Sequence, residues 1–181
     1  RLQLLRGRSY DKENIGKIGG FDIVIANPPY VRHEGIKEQK PALKSEFADF
    51  YKGTADLYAY FYKRGIEILA PEAHICFIAP NKFFRAGYGD KLRNLFVEAV
   101  TPHLVIDFKD LSIFDATTYP AILLLENRKP GKDEVLTTAT FENPSEILDV
   151  AGTMYRRGAE MKITDLNPDG WVFLALRCWR C

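Results

Sequence analysis

Phe21-Asp22-Ile23-Val24-Ile25-Ala26-Asn27-Pro28-Pro29-Tyr30 is the stretch that decides the fold. Its first six residues are a short, β-branched apolar run between Gly20 and two prolines, too short for a helix, and predict a buried strand. The strand runs straight into Asn27. Each proline biases the residue before it toward extended backbone, so Asn27 and Pro28 are held stiffly at the strand's end.

Outward from this strand, Val31 to Gly53 balances acids against bases without a sustained apolar period. It predicts a long connection that moves when nothing is bound. Thr54 as N-cap, Asp56 at the positive end of a helix dipole, and Leu57, Phe61, Ile68 and Leu69 at helical spacing predict a helix over 54–70, ended by Pro71. His74 to Ala79 reads as a second buried strand. After a Gly87-Tyr88-Gly89 loop, Leu92, Leu95, Phe96, Ala99 and Val100 mark a second helix, stopped by Pro102. Leu104 to Phe108 and Ala121 to Glu126 are two further strands, and the twelve residues between them lack a helical pattern. So short a connection suits an antiparallel return better than a crossover helix. The order predicts an α/β fold: the second half of a Rossmann-like sheet, mostly parallel with one antiparallel strand. Past Asn127 the pattern weakens to a strand at Val135–Phe141, a helical turn or two at Ser145–Val150, and a turn cluster at Asn167-Pro168-Asp169-Gly170.

Composition narrows the function classes. With 181 residues, 46% hydrophobic and 27% charged, the chain has room for one domain with a small appendage and excludes disordered, collagenous and coiled-coil proteins. A net charge of +1 excludes a histone-like arm, so any nucleic-acid site must be local. Apolar runs are far shorter than a membrane helix requires. Cys76, Cys178 and Cys181 make no disulfide framework, and a reducing, cytoplasmic setting is expected. Cys178-Trp179-Arg180-Cys181 has C-x-x-C spacing, but zinc needs two more ligands and His33, His74 and His103 are scattered along the chain. No metal is expected. A start at Arg1 with no apolar signal core suggests a piece of a longer polypeptide.

An asparagine, two prolines and an aromatic directly after an apolar strand resemble the catalytic motif of S-adenosylmethionine-dependent amino-methyltransferases. The chemistry suits the residues. An adenine or amide nitrogen is a poor nucleophile because its lone pair is delocalised, and two acceptors aimed at its N–H bonds localise that pair toward an incoming methyl. The resemblance implies that these acceptors are the Asn27 side chain and the Pro28 carbonyl, with Tyr30 offering a π face to a base turned out of its duplex. The same tetrapeptide occurs in protein-glutamine methyltransferases of release factors and in several RNA methyltransferases, and it also makes a stiff turn with no chemistry at all.

From Phe21 to Asn127 the chain resembles the gamma-type DNA adenine-N6 methyltransferases, including fused restriction and modification enzymes. The residues concerned are Asp56-Leu57-Tyr58, Phe77-Ile78-Ala79-Pro80 followed by Phe83-Phe84, and Leu111-Ser112-Ile113-Phe114. This implies Asn27, Pro28 and Tyr30 as catalytic residues and a Tyr30–Phe114 clamp on a flipped adenine. It also implies S-adenosylmethionine as cofactor, with Pro29 and Leu57 on its side, and double-stranded DNA as partner. Phe114 is otherwise a core residue of its loop, and Phe83 and Phe84 read as core or pocket wall. Lys82 is a candidate phosphate contact, while Arg32, Lys37, Lys40 and Arg85 either meet DNA or form a solvated face. One departure matters. No strand is followed by a glycine-rich turn; Gly16-Lys17-Ile18-Gly19-Gly20 precedes a strand instead. The expected division is therefore an upstream tail (1–20) of an N-terminal half that carries the main cofactor loop, a catalytic half (21–130), and a linker or the start of a target-recognition region (131–181). The isolated chain is expected to be inactive. A glutamine- or RNA-directed methyltransferase and a noncatalytic nucleic-acid-binding module of the same fold are the alternatives.

Overall fold

A computed structural model describes residues 3–5, 19–114, 118–167 and 169–173. Most of the upstream tail, Pro168 and the Cys178–Cys181 pair lie outside them. Seven strands form one sheet: β1 (Gln3–Leu5), β2 (Phe21–Ala26), β3 (Leu69–Pro80), β4 (Thr101–Asp107), β5 (Pro120–Glu126), β6 (Val135–Thr140) and β7 (Ala159–Lys162). Their order across the sheet is β1-β2-β3-β5-β4-β6-β7. β2, β3, β4 and β6 share one direction, and β5 is threaded antiparallel between β3 and β4, the return that its short, helix-free connection predicts. The edge strands β1 and β7 also run antiparallel to their neighbours.

Among the described residues α1 (Lys40–Glu46) lies in the connection after β2, and α2 (Leu57–Glu67), α3 (Asp90–Glu98), α4 (Pro144–Ile147) and α5 (Val150–Arg157) pack on the sheet. Side chains alternate along a strand, so Val105 and Ile106 belong to different cores. Val24, Ile75, Phe77, Val105 and Leu123 join Tyr58, Tyr62, Leu92 and Phe96 of α2 and α3 on one face. Ile106, Phe108, Ala139 and Phe141 meet Ile147 and Met154, beside α4 and α5, on the other. Each large apolar side chain buried in this way contributes about 1.5–3 kcal/mol. Gly65 lets α2 lie close, because a Cβ there would come within 2.5 Å of Ile75 Cδ1.

Several local expectations are corrected. β2 is buried on one face only. Val24 is fully buried but Ile23 and Ile25 are 39% and 41% exposed, since no described helix covers that face at this end of the sheet. Cys76, on the same open face, is half-buried. The helix after the connection begins at Leu57, with Asp56 rather than Thr54 at the N-cap position, and its buried stripe is Tyr58, Tyr62 and Ile66. Leu57 and Phe61 lie one step round the helix and are half-exposed. Pro71 does not separate helix from strand: β3 already starts at Leu69, and its register against β2 jumps from Phe21↔Leu69 to Ile23↔His74. Asn127 bridges that irregularity, donating from Nδ2 to the Leu69 and Ala70 carbonyls at 3.2 and 3.0 Å. Residues 31–53 are not structureless. They fold into a 3-10 turn and α1, anchored by buried Ile36 and Phe47, two contacts too far apart to show as a period. After Asn127 the chain adds β6 and β7 to the same sheet, and Trp171 packs on Phe84 with ring centroids 5.8 Å apart.

Candidate active site

β2 and β3 end side by side, with Ala26 in register with Phe77, and the Asn27–Tyr30 turn leaves the sheet there. Pro28 is buried, Asn27 and Pro29 are exposed, and Tyr30 is half-buried. The buried ring anchors the turn. The Asn27 carboxamide has no hydrogen-bond partner among the described residues, so it is available to a group arriving from outside.

The segment beyond the turn is tied to the start of α2. Val31 N–H donates to the Pro29 carbonyl and Leu57 N–H to the Val31 carbonyl, both at 3.0 Å. Asp56, 7% exposed, stands at the N-cap position yet makes no cap bond. Its Oδ1 accepts from His33 N–H at 3.0 Å and its Oδ2 from the Tyr88 hydroxyl at 3.1 Å. Tyr88 in turn shares a 2.8 Å hydrogen bond with the Tyr58 hydroxyl. A buried carboxylate is tolerated only when bonded, and here its bonds hold the segment after the Asn27–Tyr30 turn against α2 and the Gly87–Gly89 turn. Burial drives both tyrosine hydroxyls upward in pKa, so they remain protonated donors.

Tyr30 donates from its hydroxyl to the Ile78 carbonyl at 3.3 Å, and burial pushes its pKa up to about 12, which keeps the ring neutral. Phe114 lies across from it, with ring centroids 6.0 Å apart and planes at 78°. These rings touch edge to face. A base stacked between them needs parallel planes about 7 Å apart, so the pair has to turn and open slightly to take one. Beside Tyr30 is a cavity of about 400 Å³, walled by Arg32, Asp56, Tyr58, Lys82 and Tyr119 among others. That size suits a small-molecule or single-base site.

The sequence profile of the Eco57I restriction-modification methylases matches residues 6–114. The chain belongs to this family. It is 34% identical over 155 residues to the type II methyltransferase M.XhoI of Xanthomonas vasicola, covering 84% of this chain and 28% of that protein. It is 31% identical over 157 residues to the type II restriction enzyme and methyltransferase RM.Eco57I of Escherichia coli, covering 84% of this chain and 15% of that protein. The chain thus spans less than a third of the length of these relatives. Among solved structures it superposes on a type I restriction-modification methyltransferase subunit from Streptococcus thermophilus, with a TM-score of 0.57 and 14% identity over 83% of this chain and 37% of that one. It also superposes on the type IIG restriction endonuclease BpuSI, with a TM-score of 0.57 and 15% identity over 80% of this chain and 19% of that one. At such identities the likeness is one of fold.

In this Eco57I-family methylase the structure gathers Asn27, Pro28, Pro29, Tyr30, Leu57 and Phe114 at one end of the sheet. Phe83 and Phe84 are buried there as core, and Lys37 and Lys40 line neither this cavity nor the one beside it. Three participants escaped the sequence. Asp56 reads as a helix-dipole residue and turns out to anchor the turn. Tyr119 lies outside every periodic segment, yet it is 41% exposed on the cavity wall. Arg93 sits in a helix pattern as though solvated but is 2% exposed, its guanidinium donating to the Phe83 and Ala86 carbonyls and, from the tail, to that of Asp169. A polar residue inside an apolar helical stripe was the available signal for Arg93. The histidines are also less scattered than their numbering suggests: ligand atoms of His74, His103 and Glu126 lie within 4.8 Å of one another on the open face of the sheet. Glu126 Oε2 is already committed to His103 at 2.8 Å and Arg128 at 3.1 Å.

Proposed function

We propose that the enzyme to which this chain belongs transfers a methyl group from S-adenosylmethionine to N6 of an adenine flipped out of double-stranded DNA, as part of a restriction-modification or phage-defence system. The observation that carries this is the unpartnered Asn27 carboxamide on a turn stiffened by Pro28, next to Tyr30, which walls the cavity and faces Phe114.

The residues present fit one wall of a cofactor site. Exposed Pro29 and half-exposed Leu57 are joined through Val31, and together they offer an apolar surface beside Asn27. The relatives are longer than this chain, and on this reading the main cradle lies in an N-terminal half, for which the exposed Ile23 and Ile25 face is a suitable seat. Bound S-adenosylmethionine supplies an electrophilic methyl on a sulfonium. The work of this chain is to prepare the nucleophile. Asn27 Oδ1 and the Pro28 carbonyl accept the two N–H bonds of the adenine amino group, pulling its lone pair out of conjugation, and the nitrogen sheds one proton once it has been alkylated. Tyr30, neutral across the working pH range, stacks on the base together with Phe114. Residues after 130 add β6 and β7 to the sheet, and the chain leads from them toward a target-recognition region. No described helix is long and apolar enough to cross a membrane, and the proposed setting is cytoplasmic.

The test uses the complete enzyme and methyl-labelled S-adenosylmethionine, offered duplex DNA, RNA and a glutamine-containing release-factor peptide. Mass analysis of the digested products should show N6-methyladenine from duplex DNA. Label confined to RNA or to glutamine overturns the proposal.

A further inference from the structure

We infer that Lys82, with Arg85 beside it, forms a phosphodiester subsite that grips the DNA strand next to the flipped nucleotide; this rests on the adenine reading above. A second cavity, of about 570 Å³, adjoins the base cavity, and the two share Lys82 and Tyr119 as lining residues. Lys82 therefore stands on the ridge between them, and Arg85 lines the second. A nucleotide with its base in the first cavity has its backbone at that ridge.

The mounting of these cations is rigid. Lys82 lies in a 3-10 turn, Asn81–Phe84, whose Phe83 and Phe84 are 0% and 3% exposed. The Lys82 carbonyl accepts Arg85 N–H at 3.1 Å and Ala86 N–H at 2.9 Å. Asn81 N–H donates to the Tyr119 carbonyl at 2.7 Å, and Asn81 Nδ2 to Asp107 Oδ1 at 2.8 Å. Lys82 and Arg85 are exposed, and no described carboxylate lies within ion-pair distance of either. By contrast Lys52, Lys63, Arg64, Arg128 and Arg157 are all paired. The acids on the walls of the two cavities keep their charge but pair with neither cation: Asp56 and Asp107 accept from neutral donors, and Asp110 points to solvent on the second cavity. Lys109, also on that wall, pairs with Glu142 at 3.5 Å. Two unpaired cations on a fixed turn beside a base-sized cavity match a phosphodiester, the lysine as a point charge and the arginine as a fork. Contacts of this kind position the strand and carry no sequence information.

The experiment measures binding of the complete enzyme to its target duplex over a range of KCl concentrations. Lys82→Ala should weaken binding about 10-fold and reduce the slope of log K against log salt by about 0.9, with about twice that reduction for Lys82→Ala/Arg85→Ala. Lys82→Arg should restore the slope, and Lys129→Ala, outside both cavities, should leave it unchanged. Replacing the phosphate beside the target adenine with an uncharged methylphosphonate should cost the wild type about as much as Lys82→Ala does and cost that variant nothing more. An unchanged slope in Lys82→Ala and Lys82→Gln, or methylphosphonate and Lys82→Ala losses that simply multiply, overturns the subsite. Should the wild type make N6-methyladenine while both Lys82 variants bind normally, the subsite alone falls; should the wild type bind no duplex DNA, the adenine reading falls with it.

Discussion

The two ends of the sheet use their polar groups in opposite ways. Where β2, β3 and β4 finish, the Asn27 carboxamide and the Lys82 and Arg85 side chains have no partner among the described residues, and two cavities open between the loops. Where β5 finishes, Glu126, Arg128 and Glu134 are paired with one another, with Lys129, Lys132 and Asp133 exposed around them. Glu126 accepts from His103 and Arg128; Arg128 also reaches Glu134 at 2.5 Å; and Glu134 accepts from Gly131 N–H. The Arg128 hydrogen bond, more than any other influence, holds Glu126 below the usual glutamate range. Lys82 and Arg85, unpartnered on the walls of these cavities, are free to bond a molecule that enters them. The Asp56–Tyr88–Tyr58 chain shows that the cavity end is not loosely built, although the buried Tyr62 hydroxyl and Trp171 Nε1 find no partner among the described residues.

The sharpest way to break this contrast is at Asn27. In the complete enzyme Asn27→Ala removes the acceptor proposed to act on the reacting nitrogen, and single-turnover methyl transfer should fall by about 100-fold or more with the fold intact. A parental rate would mean that the unpartnered carboxamide has no role. Next in size are the aromatic pair. Tyr30→Ala or Phe114→Ala should each remove stacking of about 1–3 kcal/mol, read as weaker 2-aminopurine fluorescence enhancement at the target position, while some chemistry persists. If Phe114→Ala leaves base capture unchanged, its 6.0 Å approach to Tyr30 is only packing.

The smallest effect belongs to the opposite end, where only stability should respond. A carboxylate whose folded pKa is depressed contributes stability that is fully present above its unfolded value, near 4.3, and is lost as pH falls through the folded value. Glu126→Gln should therefore flatten the loss of thermal stability on acidification below about pH 4.3, and it should leave methyl transfer at neutral pH unchanged. A large activity loss in that variant would show that the two ends are coupled.

The α/β class, the order β2, α2, β3, α3, β4, β5, and the antiparallel return were legible in the sequence, because apolar periodicity and the length of the helix-free connection are local properties of the chain; β1 and α1, short and without a sustained apolar period, were not. Asn27-Pro28-Pro29-Tyr30 was legible for the same reason: four adjacent residues carry both the stiffness and the acceptors. β7 was not, since Ala159–Lys162 alternates only half-buried and exposed positions and becomes a strand by pairing with β6. The buried stripe of α2 escaped because tyrosine reads as amphipathic until a partner such as Tyr88 takes up its hydroxyl. Only the tertiary structure set Asp56 against His33 N–H, Tyr119 beside Lys82, and His74 beside His103. Those neighbours come from different strands and loops, and their meeting depends on the strand order and register of the sheet, which no single stretch of residues encodes.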